Sequence, residues 1–376
     1  MSIKKAVISC LLGLFLYFQT GCSIYPLRYA MVNAGNLEDK ADIALIDPNN
    51  MPYPVKVVQG EDGSRNLWWE AAGRVETVPK LRHRVKYHSL YSTSRFMVVE
   101  GRLGTGSKKY PVVLDTGASQ PIFVKDTHIL ENKLPICHIE TAKYGPDGQP
   151  GLCKLTKLCI GDVVLANWPT LYLDGHMQLE FFGFPVAKDN SIIVGLPALR
   201  EFKYIVFDSI RREVEFSNDK EFKPEQGGSW ERYSLSIEED FHGNSFLFVK
   251  IPIAEDVMEL QLDTGSGKGL AVREELWERI REKISENVRL QNGRELYPYI
   301  GDLPCRQGVV REIRVGSRTV RDADVSVFPN DSPLMNQCDG LLGMQWFGDT
   351  VIVLDFEGMQ MWVKNLAGGT AGSASL

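Results

Sequence analysis

Seven cysteines in 376 residues are too few to staple a chain of this length, so an apolar core must hold it together. Histidine is scarcer still: His83, His88, His128, His138, His176 and His242 are the full set, and none lies in a nucleophile motif. That gives a serine or cysteine hydrolase little footing. Positive charge is not in excess, with 42 Lys and Arg against 48 Asp and Glu and a formal net charge of −6. An electrostatic nucleic-acid binder is thereby excluded. The 34 glycines and 19 prolines follow no period, which excludes a collagen-like chain. Beyond the N-terminus no stretch approaches 18 consecutive apolar residues, so the remainder is expected to be soluble. What is present is 44% apolar and 24% charged, the composition of a globular protein with room for two domains.

The N-terminus reads as an export signal. Lys4 and Lys5 precede an apolar run over residues 6–18, too short to span a bilayer and suited to a signal-peptide core. Gln19-Thr20-Gly21-Cys22 follows, and a small residue directly before Cys resembles the bacterial lipoprotein signal. That resemblance implies cleavage after residue 21, a lipid on Cys22 and attachment to the cell-envelope membrane. Gln19 departs from the aliphatic residue usual at its position, and ordinary secretion is the alternative. Cys137, Cys153, Cys159, Cys305 and Cys338 would remain, an odd number of which some can pair outside the cytoplasm. Cys153 and Cys159 have no partners at zinc-site spacing, so no metal is expected.

A long internal repeat organises the rest. Val112-Val113-Leu114-Asp115-Thr116-Gly117 recurs as Leu260-Gln261-Leu262-Asp263-Thr264-Gly265. Ile192-Ile193-Val194-Gly195 recurs as Gly340-Leu341-Leu342-Gly343, and Val206-Phe207-Asp208 as Val353-Leu354-Asp355. Three features in the same order at nearly one offset mark a duplicated domain. Short β-branched and aromatic runs at 96–99, 112–114, 246–251 and 351–354, punctuated by turn residues, predict strands. Helical signals are few: 273–286 carries Leu276, Ile280 and Ile284 at spacing four, and short helices are expected near 198–202 and 344–347.

The expected organisation is therefore a signal at 1–21 and a lipid-attachment site with a spacer or pro-segment at 22–89. A first lobe follows at 90–218, a linker at 219–230, a second lobe at 231–365 and a disordered tail at 366–376. Residues 22–89 match neither copy, and an additional strand on the body is a further possibility for them. Their basic run at 80–88 reads most simply as a solvated face, with contact to an acidic envelope surface or masking of an acidic cleft as functional alternatives.

An Asp-Thr-Gly triplet after an apolar strand presents Asp at the strand end, lets Thr bond across to an opposite loop, and lets Gly admit close backbone approach. One triplet is an ordinary turn; two in duplicated lobes let a pseudo-two-fold axis set Asp115 beside Asp263. Adjacent carboxyls share a proton, so one serves as base toward water while the other donates a proton.

On these paired motifs, over about residues 90–365, the chain resembles the bilobal pepsin-like aspartic proteases, as a bacterial lipoprotein-type member with some retropepsin-like features. The resemblance implies an all-β bilobal fold built from two duplicated lobes with few short helices. It implies aspartic endopeptidase activity on a polypeptide substrate, with Asp115 and Asp263 as the catalytic pair. Thr116, Gly117, Thr264, Gly265, Ser266, Gly195 and Gly343 would support the loops, and Tyr144 would be the flap tyrosine. No cofactor is implied, since the nucleophile is water, and a monomer suffices because one chain carries both acids. Ala118 follows the first triplet, as in retroviral-type enzymes, where the second has Ser266, so unequal carboxyl environments are expected. Asp208 and Asp355 read as turn or cap residues. The alternatives are a non-catalytic binding or inhibitor protein on the same fold, and a structural envelope lipoprotein.

Overall fold

The computed structural model describes residues 27–365 except 34, 36, 60–64, 70–73, 78–81, 89–96, 138–149, 174, 182–183, 227, 241–243, 255, 285–287, 298–300, 336–337 and 348–349. Cys22, Tyr144, the signal segment and the tail lie outside the described residues.

The fold is all-β and bilobal, and the repeat is visible strand by strand. In the first lobe, Tyr110–Asp115 runs parallel to Ile192–Gly195, which lies antiparallel to Ile122–Lys125. Ile122–Lys125 in turn runs parallel to Thr170–Leu173. The second lobe repeats the plan. Asp256–Asp263 runs parallel to Gly340–Gly343, which is antiparallel to Leu270–Arg273, itself parallel to Arg318–Phe328. The short inner strands of this plan are covered on both faces, which is why they read as apolar runs without alternation. Ile122–Lys125 and Gly340–Gly343 are buried at all four positions.

The lobes are joined by a run of antiparallel strands. Ser229–Glu239 is followed in space by Gln360–Asn365, Val351–Asp355, Tyr204–Asp208, Glu213–Ser217 and Arg82–Lys86. At its centre Tyr204 pairs with Asp355 and Asp208 with Val351, so the two copies meet head to tail about a local two-fold. Asp208 accepts from the amide of Arg211 at 2.8 Å and Asp355 from that of Gly358 at 2.9 Å, each closing a turn. One apolar cluster continues from Val112 and Leu114 through Phe207 and Leu354 to Leu260, Leu262 and Trp346.

The segment ahead of the repeat is woven into the first lobe. Arg74–Thr77 pairs with Val163–Ala166, Leu27–Asn33 with Gly175–Phe181, and Arg82–Lys86 with Glu213–Ser217. The basic run meets acids across that last pairing: Arg84 to Glu215 at 2.6 Å, Lys86 to Glu213 at 2.8 Å and Arg82 to Asp219 at 3.0 Å. Each such surface pair contributes at most about 1 kcal/mol.

The amphipathic helix covers Glu274–Arg281, shorter than the apolar stripe foretold. It buries Leu276, Trp277 and Ile280, with acids in its first turn and arginines in its last, as the helix dipole favours. Ile284 is buried beyond its end. A four-residue helix at Leu196–Leu199 and a 3-10 turn at Met344–Phe347 follow the two repeated glycines. All five described cysteines carry free thiols. Cys137 lies opposite Leu152, so Cys153, the next residue, points to the other face of the sheet and cannot reach it.

Candidate active site

Each Asp-Thr-Gly loop begins where a parallel strand ends. Asp115 is the last residue of Tyr110–Asp115 and lies in register with Gly195, as Asp263 does with Gly343. The threonines tie the loops together. The amide of Thr116 donates to Thr264 Oγ1 at 3.0 Å and the amide of Thr264 to Thr116 Oγ1 at 3.1 Å. Each hydroxyl then donates across the axis, Thr116 to the carbonyl of Leu262 and Thr264 to that of Leu114, both at 2.6 Å. Both threonines are fully buried, so all four bonds are shielded from water.

The glycines make room for the carboxyls. A Cβ on Gly117 would stand 2.7 Å from Asp263 Cγ, and one on Gly265 would fall inside the Asp115 carboxyl. Each glycine therefore floors the opposite lobe's aspartate. Gly195 presses on the carbonyls of Ala118 and Gln120, and Gly343 on that of Lys268. The amides beyond them complete the bracing: Leu196 donates to Ala118 O at 2.9 Å and Met344 to Ser266 O at 2.8 Å.

Asp115 and Asp263 are hydrogen-bonded to each other. Burial pushes both carboxyls above the ordinary carboxylate range. Asp263 rises further because the Asp115 charge adds to burial. Asp115 rises less: it receives the hydrogen bond from Asp263 and the amides of Gly117 at 2.8 Å and Ala118 at 3.1 Å. The pair thus shares one proton between its two carboxyls. The amides of Gly265, at 2.9 Å, and Ser266 serve Asp263 in the same way, and the Ser266 hydroxyl accepts from the Lys268 amide at 3.3 Å.

A second polar cluster stands beside Asp263. Glu295 is 4% exposed, and its Oε1 accepts from Ser326 Oγ at 2.5 Å, Lys268 Nζ at 2.5 Å and Gln307 Nε2 at 2.8 Å. Tyr297 donates its hydroxyl to the other oxygen at 3.1 Å and sets its ring edge-on to Phe328. Burial and then the Glu295 charge push the Tyr297 phenol far up, so it stays a donor. Asp263, Ser266, Lys268, Glu295, Tyr297 and Ser326 surround a cavity of about 10 Å³, room for one water. The available signal was period-two spacing, which puts Glu295 and Tyr297 on one face of Gln291–Tyr297.

A larger cavity, about 370 Å³, lies on the strands that join the lobes, lined by Tyr204, Phe222, Trp230 and charges of both signs, and shares no residue with the dyad loops. No cluster of three or more His, Cys, Asp or Glu able to hold a metal occurs among the described residues.

No family model matches the chain. No curated protein matches it either. Among solved structures it is similar to basic 7S globulin from soybean, at 10% identity and TM-score 0.42 over 75% of this chain and 95% of that one. It is similar to conglutin gamma, a basic 7S globulin from lupine seeds, at 10% identity and TM-score 0.41 over 78% and 96%. A structure titled edgp matches at 11% identity and TM-score 0.44 over 75% and 94%. The expected membership among pepsin-like aspartic proteases, as a bacterial lipoprotein-type member, is corrected by these findings. No family model and no curated relative carries it, and the solved structures found include seed globulins. Two Asp-Thr-Gly loops specify a local geometry that a sequence reading extends to a whole family, and the loops are a small part of the chain.

Proposed function

We propose that Asp115 and Asp263 form a water-activating dyad and that the chain is an aspartic-type endopeptidase. The observation that carries this reading is the buried carboxyl pair held by reciprocal threonine bonds. Asp115, as the anion, takes a proton from a water placed between the carboxyls while the water oxygen attacks the peptide carbonyl carbon. Asp263 gives its proton to the carbonyl oxygen as the carbonyl π bond opens, leaving a neutral gem-diol. Asp115 then returns its proton to the amide nitrogen. The C–N bond breaks, and one diol proton passes back to Asp263 as the carboxylic acid forms. One chain supplies both acids, so a monomer suffices.

A second reading, a non-catalytic binding or inhibitor protein on the same scaffold, is favoured by the cavities: that beside Asp263 has room for one water, while a ligand-sized space lies on the strands that join the lobes. Incubating the purified full chain, Asp115→Asn and Asp263→Asn with denatured protein from about pH 3 to 8 separates the two readings. Each variant should lose about 10²–10⁴-fold in new peptide termini read by mass spectrometry. Folded wild type that generates no termini at any pH sinks the protease and leaves the binding protein.

We further propose that the chain is exported and held by a lipid on Cys22, on the strength of Lys4 and Lys5, the apolar run 6–18 and Gly21-Cys22.

A further inference from the structure

Glu295 is a buried acid that the dyad steps leave unused. Among the described residues four donors converge on it, and they differ in exposure: Ser326 is buried, Gln307 and Tyr297 are half-buried, and Lys268 is exposed. The Lys268 side chain is 53% open against 3% for Glu295, so its ammonium reaches the carboxylate from the solvent side. A buried carboxylate needs a positive partner, since leaving it unpaired is strongly destabilising. Lys268 meets that need with a compact charge on a flexible stem. Replacing its ammonium by another cation on the same oxygen keeps Glu295 paired throughout.

The pair stands next to the reacting centre. Lys268 follows Asp263 on the same loop, and both line the one-water cavity with Glu295. Among the described residues around that cavity Asp263, Glu295 and Asp324 are acids and Lys268 is the one base. All of them belong to the second lobe. At the place of Lys268 the first lobe has Gln120, separated from it by the same 148 residues as Thr116 from Thr264. The packing agrees, since Gly195 presses on the Gln120 carbonyl as Gly343 does on that of Lys268. A neutral amide in one lobe thus matches an ammonium in the other, and the charged pocket lies to one side of the dyad.

We propose that the Glu295 pocket is a substrate subsite for a basic side chain, in which a lysine or arginine of the polypeptide takes the seat of the Lys268 ammonium beside Asp263. The inference rests on the endopeptidase reading. Lys268 swings out into solvent, and the arriving cation pairs with Glu295 while Ser326 and Gln307 hold the carboxylate in place. The subsite needs only the space that Lys268 vacates and the one water beside it. The Tyr297 ring lines the same cavity and gives the aliphatic stem an apolar wall. An acidic side chain would meet Glu295 and Asp324 with like charge, and an apolar one gains nothing from the carboxylate. Because one cation replaces another, the preference is modest, about fivefold.

The test uses the full chain. A digest of denatured protein by wild type locates the position: with the cleaved bonds aligned, one site on a fixed side should be enriched in Lys and Arg about fivefold over the mixture. Two internally quenched peptides are then made with lysine or norleucine at that site, norleucine keeping the stem and dropping the charge. The ratio of their kcat/KM values should be about five in wild type and about one in Glu295→Gln, and should rise above wild type in Lys268→Gln, where no internal ammonium competes. A purely structural Glu295 would lower both rates together and leave the ratio alone. Wild type that cuts with no basic enrichment, or a ratio that Glu295→Gln leaves unchanged, overturns the subsite and leaves the dyad standing. Should Glu295→Gln not fold, Lys268→Gln decides, and a ratio at or below the wild-type value overturns the subsite. Wild type that cuts nothing removes the dyad reading and the subsite with it.

Discussion

Thr116 and Thr264 exchange hydrogen bonds: the amide of each donates to the hydroxyl of the other, at 3.0 and 3.1 Å, across the axis that relates the lobes. Each hydroxyl is therefore both acceptor and donor, and neither threonine has an equivalent partner within its own lobe. Replacing Thr116 with Val keeps the shape and strips both functions. The Thr264 amide and the Leu262 carbonyl are then left unpaired and buried, at a cost of about 1–3 kcal/mol each. Urea unfolding of Thr116→Val should show that loss. Adding Thr264→Val removes two further bonds, from the Thr116 amide and to the Leu114 carbonyl, and should cost about as much again.

Gly265 and Gly104 separate space from backbone conformation. Gly265→Ala sets a methyl group into the Asp115 carboxyl, whereas a Cβ at Gly104 meets nothing within 4 Å. Gly104 has φ +57, so Gly104→Ala costs about 1 kcal/mol of left-handed strain and leaves the dyad untouched. Gly265→Ala should instead change the titration of the pair, read as a shift in the ¹³C carboxyl resonances of labelled Asp. Unaltered resonances would refute the packing argument.

The dyad makes stability fall as pH rises. Both carboxyls are raised by burial, so above about pH 4 the native state keeps a proton that the unfolded chain has released. Their contribution is complete below that pH and is lost as pH climbs toward the folded values. Asp189, held low by Lys125 against its burial, acts in the opposite sense and loses its contribution as pH falls. The difference between wild type and Asp263→Asn isolates the dyad. Asp263→Asn should gain stability over wild type progressively from pH 4 to 7 in urea midpoints. A constant difference would contradict the shared proton.

Lys125 is a lysine 4% exposed whose Nζ donates to Ser191 O at 2.6 Å and Ser191 Oγ at 2.9 Å besides meeting Asp189. Lys125→Met leaves that acid without its partner. Asp189 is partly open to solvent, so the loss should lie at the low end of about 3–5 kcal/mol. Amide exchange should speed up first in 175–188, since this pair anchors the hairpin base. Uniform exchange would place the pair's effect elsewhere.

The duplication, the all-β character and the positions of the two Asp-Thr-Gly loops are legible in the chain because they are local and repeated. Val112-Val113-Leu114 and Leu260-Gln261-Leu262 carry the same strand signal, and each ends in the same turn. The amphipathic stripe at Leu276 and Ile280 marked a helix but overran it, because Ile284 is buried by tertiary packing after the helix has ended. The basic run 80–88 is legible as solvated surface, and Arg82, Arg84 and Lys86 are more than half exposed, but nothing near it in sequence shows that Glu213 and Glu215 are its cross-strand neighbours.

By itself the sequence determined where the carboxyls sit on their strands and which residue follows each, since periodicity and turn chemistry act over a few positions. Only the tertiary structure decided that Thr116 meets Thr264, that Gly265 floors Asp115, and that Glu295, Lys268 and Ser326 gather beside Asp263. It alone set Leu27 beside Phe181. These partners stand up to 154 residues apart, and their bonds form only once the folded chain excludes the water that would otherwise satisfy each group.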